Sequence, residues 1–276
     1  MKMQLTALAA AVALTASFST MVQADPRDWD NPDNDTTSHS PSASTFSAQE
    51  TIREGMDGFE KHVNHANADA NTQYSKVQQS GSYASALVNQ HDGPQYSLIQ
   101  QSGYADEATV LQKNATNNAG GTNESIIKQE GSTHTGNTAI VTQIGYLNDS
   151  FVDQRGNNNR AEVDQIDNTA SSDSIIHQRG DDNTATIMQT NNTSQTWSFV
   201  GQYGNDNVAD VTQNYADLSS SFIYQDSRGS QGHYAEVSQT GPSNFSMIRQ
   251  MGHTQGGAVH SQTGNAGNNT AVTNQW

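Results

Sequence analysis

From Ser75 to Gln275 the small and aliphatic positions recur at fixed distances from glutamine. One arm reads Ser-x-(Val/Ile)-x-Gln. It occurs at Ser75-Val77-Gln79, Ser97-Ile99-Gln101, Ser125-Ile127-Gln129 and Ser150-Val152-Gln154, then at Ser174-Ile176-Gln178, Ser198-Val200-Gln202, Ser221-Ile223-Gln225 and Ser246-Ile248-Gln250. A second arm reads Ala-x-(Val/Ile)-x-Gln. It occurs at Ala86-Val88-Gln90, Ala108-Val110-Gln112, Ala139-Val141-Gln143 and Ala161-Val163-Gln165, then at Ala185-Ile187-Gln189, Ala209-Val211-Gln213 and Ala235-Val237-Gln239. In the eighth copy, Ala258-His260-Gln262, histidine replaces the aliphatic residue, and Ala271-Thr273-Gln275 adds a last arm. The arms alternate strictly, giving eight two-arm units and one extra arm, with first arms 22 to 28 residues apart.

Residues two apart share one face of a strand, so the small residue, the aliphatic residue and the glutamine of each arm point the same way. The intervening positions, such as Lys76, Thr109, Asp153, Glu162, His177 and Glu236, are predicted to face solvent. Glycine follows most first arms (Gly81, Gly103, Gly131, Gly156, Gly180, Gly204, Gly252). Asparagine precedes many arms (Asn123, Asn137, Asn148, Asn159, Asn183, Asn207, Asn244, Asn269). Both residues supply the positive φ of tight turns. Each unit therefore reads as strand, turn, strand, turn: one flat coil. Coils stacked at strand spacing make a body about 38 Å tall for eight coils. Buried glutamine is costly unless its amide is bonded, and stacking lets each amide bond its counterparts above and below. The expected fold is all-β, a cross-β, amyloid-forming solenoid of about eight coils over residues 73–276. The core ladder is formed by the arm residues named above. The repeat runs to Gln275, and an uncapped coil there offers a templating edge for growth.

The first 72 residues read differently. Lys2 and the apolar run Leu5 to Phe18, followed by Val22-Gln23-Ala24, have the form of a secretory leader, residues 1–24, cleaved after Ala24. The run is too short to span a bilayer. Residues 25–72 are acidic and rich in Ser, Thr, Asn and Pro, and are expected to be disordered. Within them Ile52, Met56, Phe59 and Val63 follow helical spacing, which glycines at 55 and 58 weaken; a short helix that serves export, or a plain linker, fits equally.

Composition narrows the function. Only 32% of the 276 residues are hydrophobic, too few for a conventional core of this length, and the formal net charge of −16 leaves no basic surface for nucleic acid. The chain has no cysteine, so neither a disulfide framework nor a thiolate metal site is available. The serines sit at a repeat position and form no distinctive catalytic trio, so no enzyme and no cofactor is expected. His62 and His65 with Asp57 and Glu60 read as a solvated face rather than a metal site. Arg155, Arg179, Asp181, Asp182 and Arg228 read as solvated charges that also slow premature assembly. His260 reads as a weakened terminal coil.

The Gln-x-Gly-x4-Ala-x3-Gln spacing at Gln79-Gly81-Ala86-Gln90, Gln101-Gly103-Ala108-Gln112, Gln154-Gly156-Ala161-Gln165, Gln178-Gly180-Ala185-Gln189 and Gln202-Gly204-Ala209-Gln213 resembles the curlin repeat of curli subunits. The resemblance covers about residues 74–276, and the Gln275-Trp276 ending is similar to that of the major subunit. It implies an extracellular functional amyloid at the cell surface, a fimbrium for adhesion, cell aggregation and biofilm matrix. As partners it implies further copies of the chain, a minor nucleating subunit, and a dedicated outer-membrane export pore with accessory factors in a Gram-negative envelope. The departures are the number of repeats, the longer loops after Gln129 and Gln225, and an acidic rather than glycine-rich N-terminal region. The alternatives are the nucleating subunit itself and, in a different class, a monomeric secreted solenoid such as an adhesin or ice binder. The mixed, charged outward positions disfavour ice binding.

Overall fold

A computed structural model describes residues 73–114, 123–131, 135–227, 229, 231–264 and 269–276. The leader, the acidic segment, the 52–63 periodicity, the His62 and His65 cluster and Arg228 all lie outside the described residues.

Every described element is a strand, as the alternating arms predict. The first arms form β1 (Gln73–Gln79), β3 (Gln95–Gln101), β5 (Asn123–Gly131), β7 (Asp149–Gly156), β9 (Asp173–Arg179), β11 (Trp197–Gly204), β13 (Ser220–Ser227), β15 (Phe245–Gly252) and β17 (Thr270–Gln275). The second arms form β2 (Ser85–His91), β4 (Glu107–Asn114), β6 (Thr138–Tyr146), β8 (Arg160–Ala170), β10 (Thr184–Thr190), β12 (Val208–Asn214), β14 (Tyr234–Thr240) and β16 (Gly257–Thr263). The odd strands make one nine-stranded sheet and the even strands an eight-stranded sheet facing it. The chain passes from one sheet to the other at every turn, so consecutive strands of a sheet are parallel and one coil apart. The architecture is a β-solenoid of about eight turns.

Register follows the repeat. Ser174, Ile176 and Gln178 of β9 stand opposite Ser198, Val200 and Gln202 of β11, and Ala185, Ile187 and Gln189 of β10 opposite Ala209, Val211 and Gln213 of β12. One irregularity occurs, between β6 and β8, where the pairing jumps after Gln143–Gln165 to Gly145–Thr169. Between the sheets the two aliphatic rows and the alanines form a single dry cluster, with Ile127, Val141, Val163, Ile176, Ile187, Val200 and Val237 all at 0% exposure. A slip of one residue would turn this row outward and place charge inside, so the register is strongly specified.

The turns are less dependent on glycine and asparagine than the sequence suggests. Gly156, Gly180 and Gly204 do take positive φ, and a Cβ on Gly180 would lie 2.0 Å from the carbonyl oxygen of Gly204 in the next coil. Yet Ala105, Leu147, Ser171, Gln195 and Leu218 also sit at φ between 51° and 56°. Such backbone is strained for these residues unless the surroundings fix it. Here the stack does so: the amides of Ala105, Ser171, Gln195 and Leu218 each donate to a carbonyl of the preceding coil, Ser82, Tyr146, Ala170 and Ser194.

The outward positions divide the two sheets. On the even sheet Thr109, Ile140, Glu162, Thr186, Asp210 and Glu236 are half-buried, as expected of side chains that stack on neighbours and face water. On the odd sheet the expectation of solvent fails. Leu98, Ile126, Phe151, Ile175, Phe199, Phe222 and Met247 form an outer apolar row, joined by Tyr96 and Phe245 in a second buried cluster. Phe199 and Phe222 stack at 4.9 Å between ring centroids. Asp153 and His177, predicted to be solvated, are buried beside this row at 5% and 7% exposure. They are buried because bulky neighbours on adjacent strands shield them: the His177 ring stacks on Tyr203 at 5.6 Å.

Around His177 stand Asp153, with its carboxylate oxygen 3.7 Å from Nε2, and a set of cations. Arg155 lies 3.5 Å from both Asp153 and Glu130, Lys128 lies 2.8 Å from Glu130, and Arg179 sits over the Tyr203 ring. Burial, reinforced by Arg179, Arg155 and Lys128, pulls the His177 pKa down to about 3. Burial pushes the Asp153 carboxyl up, and lowers His233 and His260 as well.

A histidine held neutral in the fold accepts its proton only in the unfolded chain. The stability it contributes is therefore complete above the ordinary value near 6.5 and is lost as pH falls toward about 3, at no more than about 1.4 kcal/mol per pH unit for one group. Asp153, shifted upward, acts in the opposite sense: it favours the fold as pH drops through its raised value. The denaturant midpoint of the soluble chain is expected to fall between pH 7 and pH 5, and His177→Gln should flatten that fall; equal slopes for the two proteins would contradict this reading.

Candidate assembly ladder

Each arm ends in a glutamine because its amide is the one common side chain long enough to reach both a neighbouring coil and the opposite sheet, with donors and an acceptor for each. In the nine-stranded sheet the Nε2 of Gln79, Gln101, Gln129, Gln154, Gln178, Gln202, Gln225 and Gln250 each donates to the Oε1 of the next glutamine, ending on Gln275, at 2.7–3.0 Å. In the eight-stranded sheet Gln90, Gln112, Gln143, Gln165, Gln189, Gln213 and Gln239 do the same, ending on Gln262, at 2.8–2.9 Å.

The second amide proton goes across the core. Gln101, Gln129, Gln154, Gln178, Gln202, Gln225 and Gln250 donate to the backbone carbonyls of Ser85, Glu107, Thr138, Arg160, Thr184, Val208 and Tyr234 on the facing sheet. The even-strand glutamines return the bond, for example Gln112 to Tyr96 and Gln239 to Ser220. The sequence suggests the ladder but not this cross-tie. Only the antiparallel facing of the two arms brings a carbonyl of the residue before the small position opposite each glutamine. The tie also fixes the amide orientation, because the end that faces a carbonyl must be the NH2. Both ladders consequently donate in one direction, from the N-terminal coils to the C-terminal ones.

The small residues fill the remaining space. Ala108, Ala139, Ala161, Ala185, Ala209 and Ala235 are fully enclosed, and Ala258 nearly so. Ser97, Ser125, Ser150, Ser174, Ser198, Ser221 and Ser246 are buried, and two of them reach the facing ladder: Ser174 Oγ donates to Gln189 Oε1 at 3.0 Å and Ser198 Oγ to Gln213 Oε1 at 2.8 Å. The outer coils are looser. Ser75 and Gln79 are exposed, Val77 is 44% exposed, and Ala86, Val88, Gln90, Ala271, Thr273 and Gln275 are half-buried. His260 is more than a weak point in the aliphatic row. Its Nδ1 lies 2.7 Å from Ser246 Oγ and its Nε2 2.8 Å from Thr273 Oγ1, a polar bridge through three coil positions.

Asparagines at the turns build further columns. Asn159, Asn183 and Asn207 each send both the backbone N–H and Nδ2 to the Oδ1 of the preceding asparagine, Asn137, Asn159 and Asn183. Asn159 and Asn183 also donate to Gly180 and Gly204 carbonyls, which orients their amides as the cross-tie orients the glutamines. These columns donate toward the N-terminal coils, opposite to the glutamine ladders. Asp106 closes the column by accepting from Asn137 through Oδ1.

A mid-stack truncation should therefore be costly. Gln178→Ala removes one acceptor and two donated bonds and strands buried partners on Gln154, Gln202 and Arg160, a loss of about 3 kcal/mol or more. Gln78→Ala on the exposed face of β1 should stay within about 0.5 kcal/mol of the parent. Denaturant unfolding of the soluble chain measures both, and equal effects would refute an interior role for the ladder.

Compared with known families, residues 135–166 and 167–214 match the curlin associated repeat. These stretches run through β6 to β12, the middle of the solenoid. No curated protein matches the chain. The matched stretches are similar to curlin repeats, and the same residue types recur in register through the remaining coils.

Proposed function

We propose that this chain is a structural subunit of an extracellular, curli-like amyloid fibre, closest in kind to a major subunit, that grows by end-to-end stacking of solenoids. The observation that carries the reading is the one-way glutamine ladder. Among the described residues the Oε1 atoms of Gln79 and Gln90 face away from the stack at one end, and Gln262 and Gln275 have no further glutamine to donate to at the other. Acceptors at one end and donors at the other match when a second copy stacks head to tail, and clash when it stacks head to head. The backbone edges of the outermost strands offer parallel pairing in the same register. Such a stack continues the interior of one molecule into the next, so the role is mechanical rather than catalytic.

On this reading the chain is exported to the cell surface through an outer-membrane pore, is nucleated by a minor subunit, and contributes to adhesion, cell aggregation and biofilm matrix, as curlin-repeat proteins do in general. A nucleating role for this chain itself uses the same ladder and differs only in the order of addition.

The purified mature chain is expected to form thioflavin-positive fibres with a 4.7–4.8 Å meridional reflection. Gln262→Ala combined with Gln275→Ala should lengthen the lag several-fold, whereas Gln78→Ala combined with Gln100→Ala on the outer face should leave it unchanged. A chain that stays monomeric at high concentration would refute the proposal.

A further inference from the structure

Each strand of the solenoid is related to the one before it by the same step, half a turn about the axis and half a strand spacing along it. The cross-ties follow this step. Gln90 of β2 donates to the Tyr74 carbonyl of β1, Gln101 of β3 to the Ser85 carbonyl of β2, and at the far end Gln275 of β17 to the Gly257 carbonyl of β16. A full coil is two steps. The described strands number seventeen, nine on one side and eight on the other. The step after β17 therefore falls in the eight-stranded sheet, beside β16.

Two head-to-tail junctions bring the ladder ends together. In the first, the incoming copy keeps the same rotation. Its β1 pairs with β17, and the place beside β16 stays empty. Gln262 then has no glutamine to donate to, and Gln79 of the incoming copy has no carbonyl across the core. In the second, the incoming copy is turned by half a revolution about the fibre axis. Its β1 fills the place beside β16, and its β2 pairs with β17. Gln262 and Gln275 donate to Gln79 and Gln90 of the copy, and Gln79 reaches the Thr270 carbonyl as every other cross-tie reaches the residue before the small position. Enclosed amides left unpaired are costly, so the second junction is favoured.

The composition of β17 points the same way. The other eight strands of its sheet carry serine at the small position, whereas β17 carries Ala271, as the even strands do. With Gln90 stacked on Gln275, the turned copy sets Ala86 on Ala271, Leu87 on Val272, Asn89 on Asn274 and His91 on Trp276. Leu87, Val272 and Trp276 are 61%, 43% and 76% exposed, and this contact takes them out of water. The unturned copy would set Lys76 on Val272 and Ser80 on Trp276. We propose that successive copies join with a half-turn, so that the nine-stranded sheet of one copy continues the eight-stranded sheet of the next. The proposal rests on the fibre reading above and specifies its junction. Each copy then advances the fibre by about 41 Å, and the structure repeats after two copies, about 82 Å. The charged band around His177 alternates from one flank of the fibre to the other.

The chain has no cysteine, so thiols can be placed at will. Asn89 and Asn274 are exposed and lie at opposite ends of the stack, so Asn89→Cys combined with Asn274→Cys in the full mature chain can form disulfides only between copies. The half-turn puts the two on adjacent strands about 4.8 Å apart, within disulfide reach. Fibres grown under reducing conditions and then oxidised are expected to run as covalent multimers on a denaturing gel, severalfold more than fibres of Gln78→Cys combined with Asn274→Cys, the pair that the unturned junction would bring together. Links mainly in the second pair, equally in both or in neither overturn the half-turn and leave the fibre reading standing. Electron cryo-microscopy of parent fibres gives an independent reading. A rotation of about half a turn per copy with a rise of about 41 Å is expected, twist of the stack aside, and no rotation with a rise of about 43 Å overturns the proposal. A parent chain that forms no thioflavin-positive fibres overturns the fibre reading itself, and this junction with it.

Discussion

A glutamine amide enclosed between two dry sheets must place two protons and at least one lone pair, and it has very few places to put them. The solution here is one bond up the stack and one across it. That demand sets most of the fold. The upward bond needs the next glutamine at strand spacing and at the same register position, so the sheets are parallel and unslipped. The cross bond needs the facing backbone close by, so the opposing positions are serine and alanine, and the aliphatic residue between them fills the gap. Unmade, such bonds cost more than the made ones contribute. A coil with its register shifted is therefore penalised twice, by stranded amides and by apolar side chains turned outward.

Much of this was legible in the residues. The spacing of Ser174, Ile176 and Gln178 is enough to place all three on one face, and its return at Ala185, Ile187 and Gln189 is enough to pair two sheets. The alternation of arms accounts for nine strands on one side and eight on the other. What escaped depends on relations that a repeat motif does not contain. The carbonyl that each glutamine reaches belongs to a variable position, Arg160 or Thr184 or Val208, and backbone atoms carry no sequence signal. The outer apolar row is invisible arm by arm, because its members are Leu, Ile, Phe and Met in no fixed type; it emerges only when Phe151, Ile175, Phe199 and Phe222 are aligned in register. Asp153 and His177 read as solvated for the same reason. The positive φ at Leu218 escaped because it is held by a bond to another coil rather than by the residue's own preference.

The two faces give the solenoid a sidedness. The even sheet shows water a mixed, half-buried surface of Thr, Asp and Glu. The odd sheet carries aromatic and aliphatic side chains with a band of charge, where Lys128, Glu130, Asp153, Arg155 and Arg179 gather around His177. The interior is nearly uniform from coil to coil while the exterior changes along the axis. Individual character in this molecule is written on its outside and at its ends, where His260 ties Ser246 to Thr273.

The opposed directions of the asparagine columns and the glutamine ladders have an electrical consequence. Amides aligned head to tail add their dipoles, as peptide units do along a helix, where the sum amounts to about half an elementary charge at each terminus. A stack with all its amides pointing one way would be a long polar rod. Here the column through Asn137, Asn159, Asn183 and Asn207 points against the core ladders, so part of the axial dipole cancels along it. The tips of the stack therefore carry less charge than the glutamine ladders alone would give them.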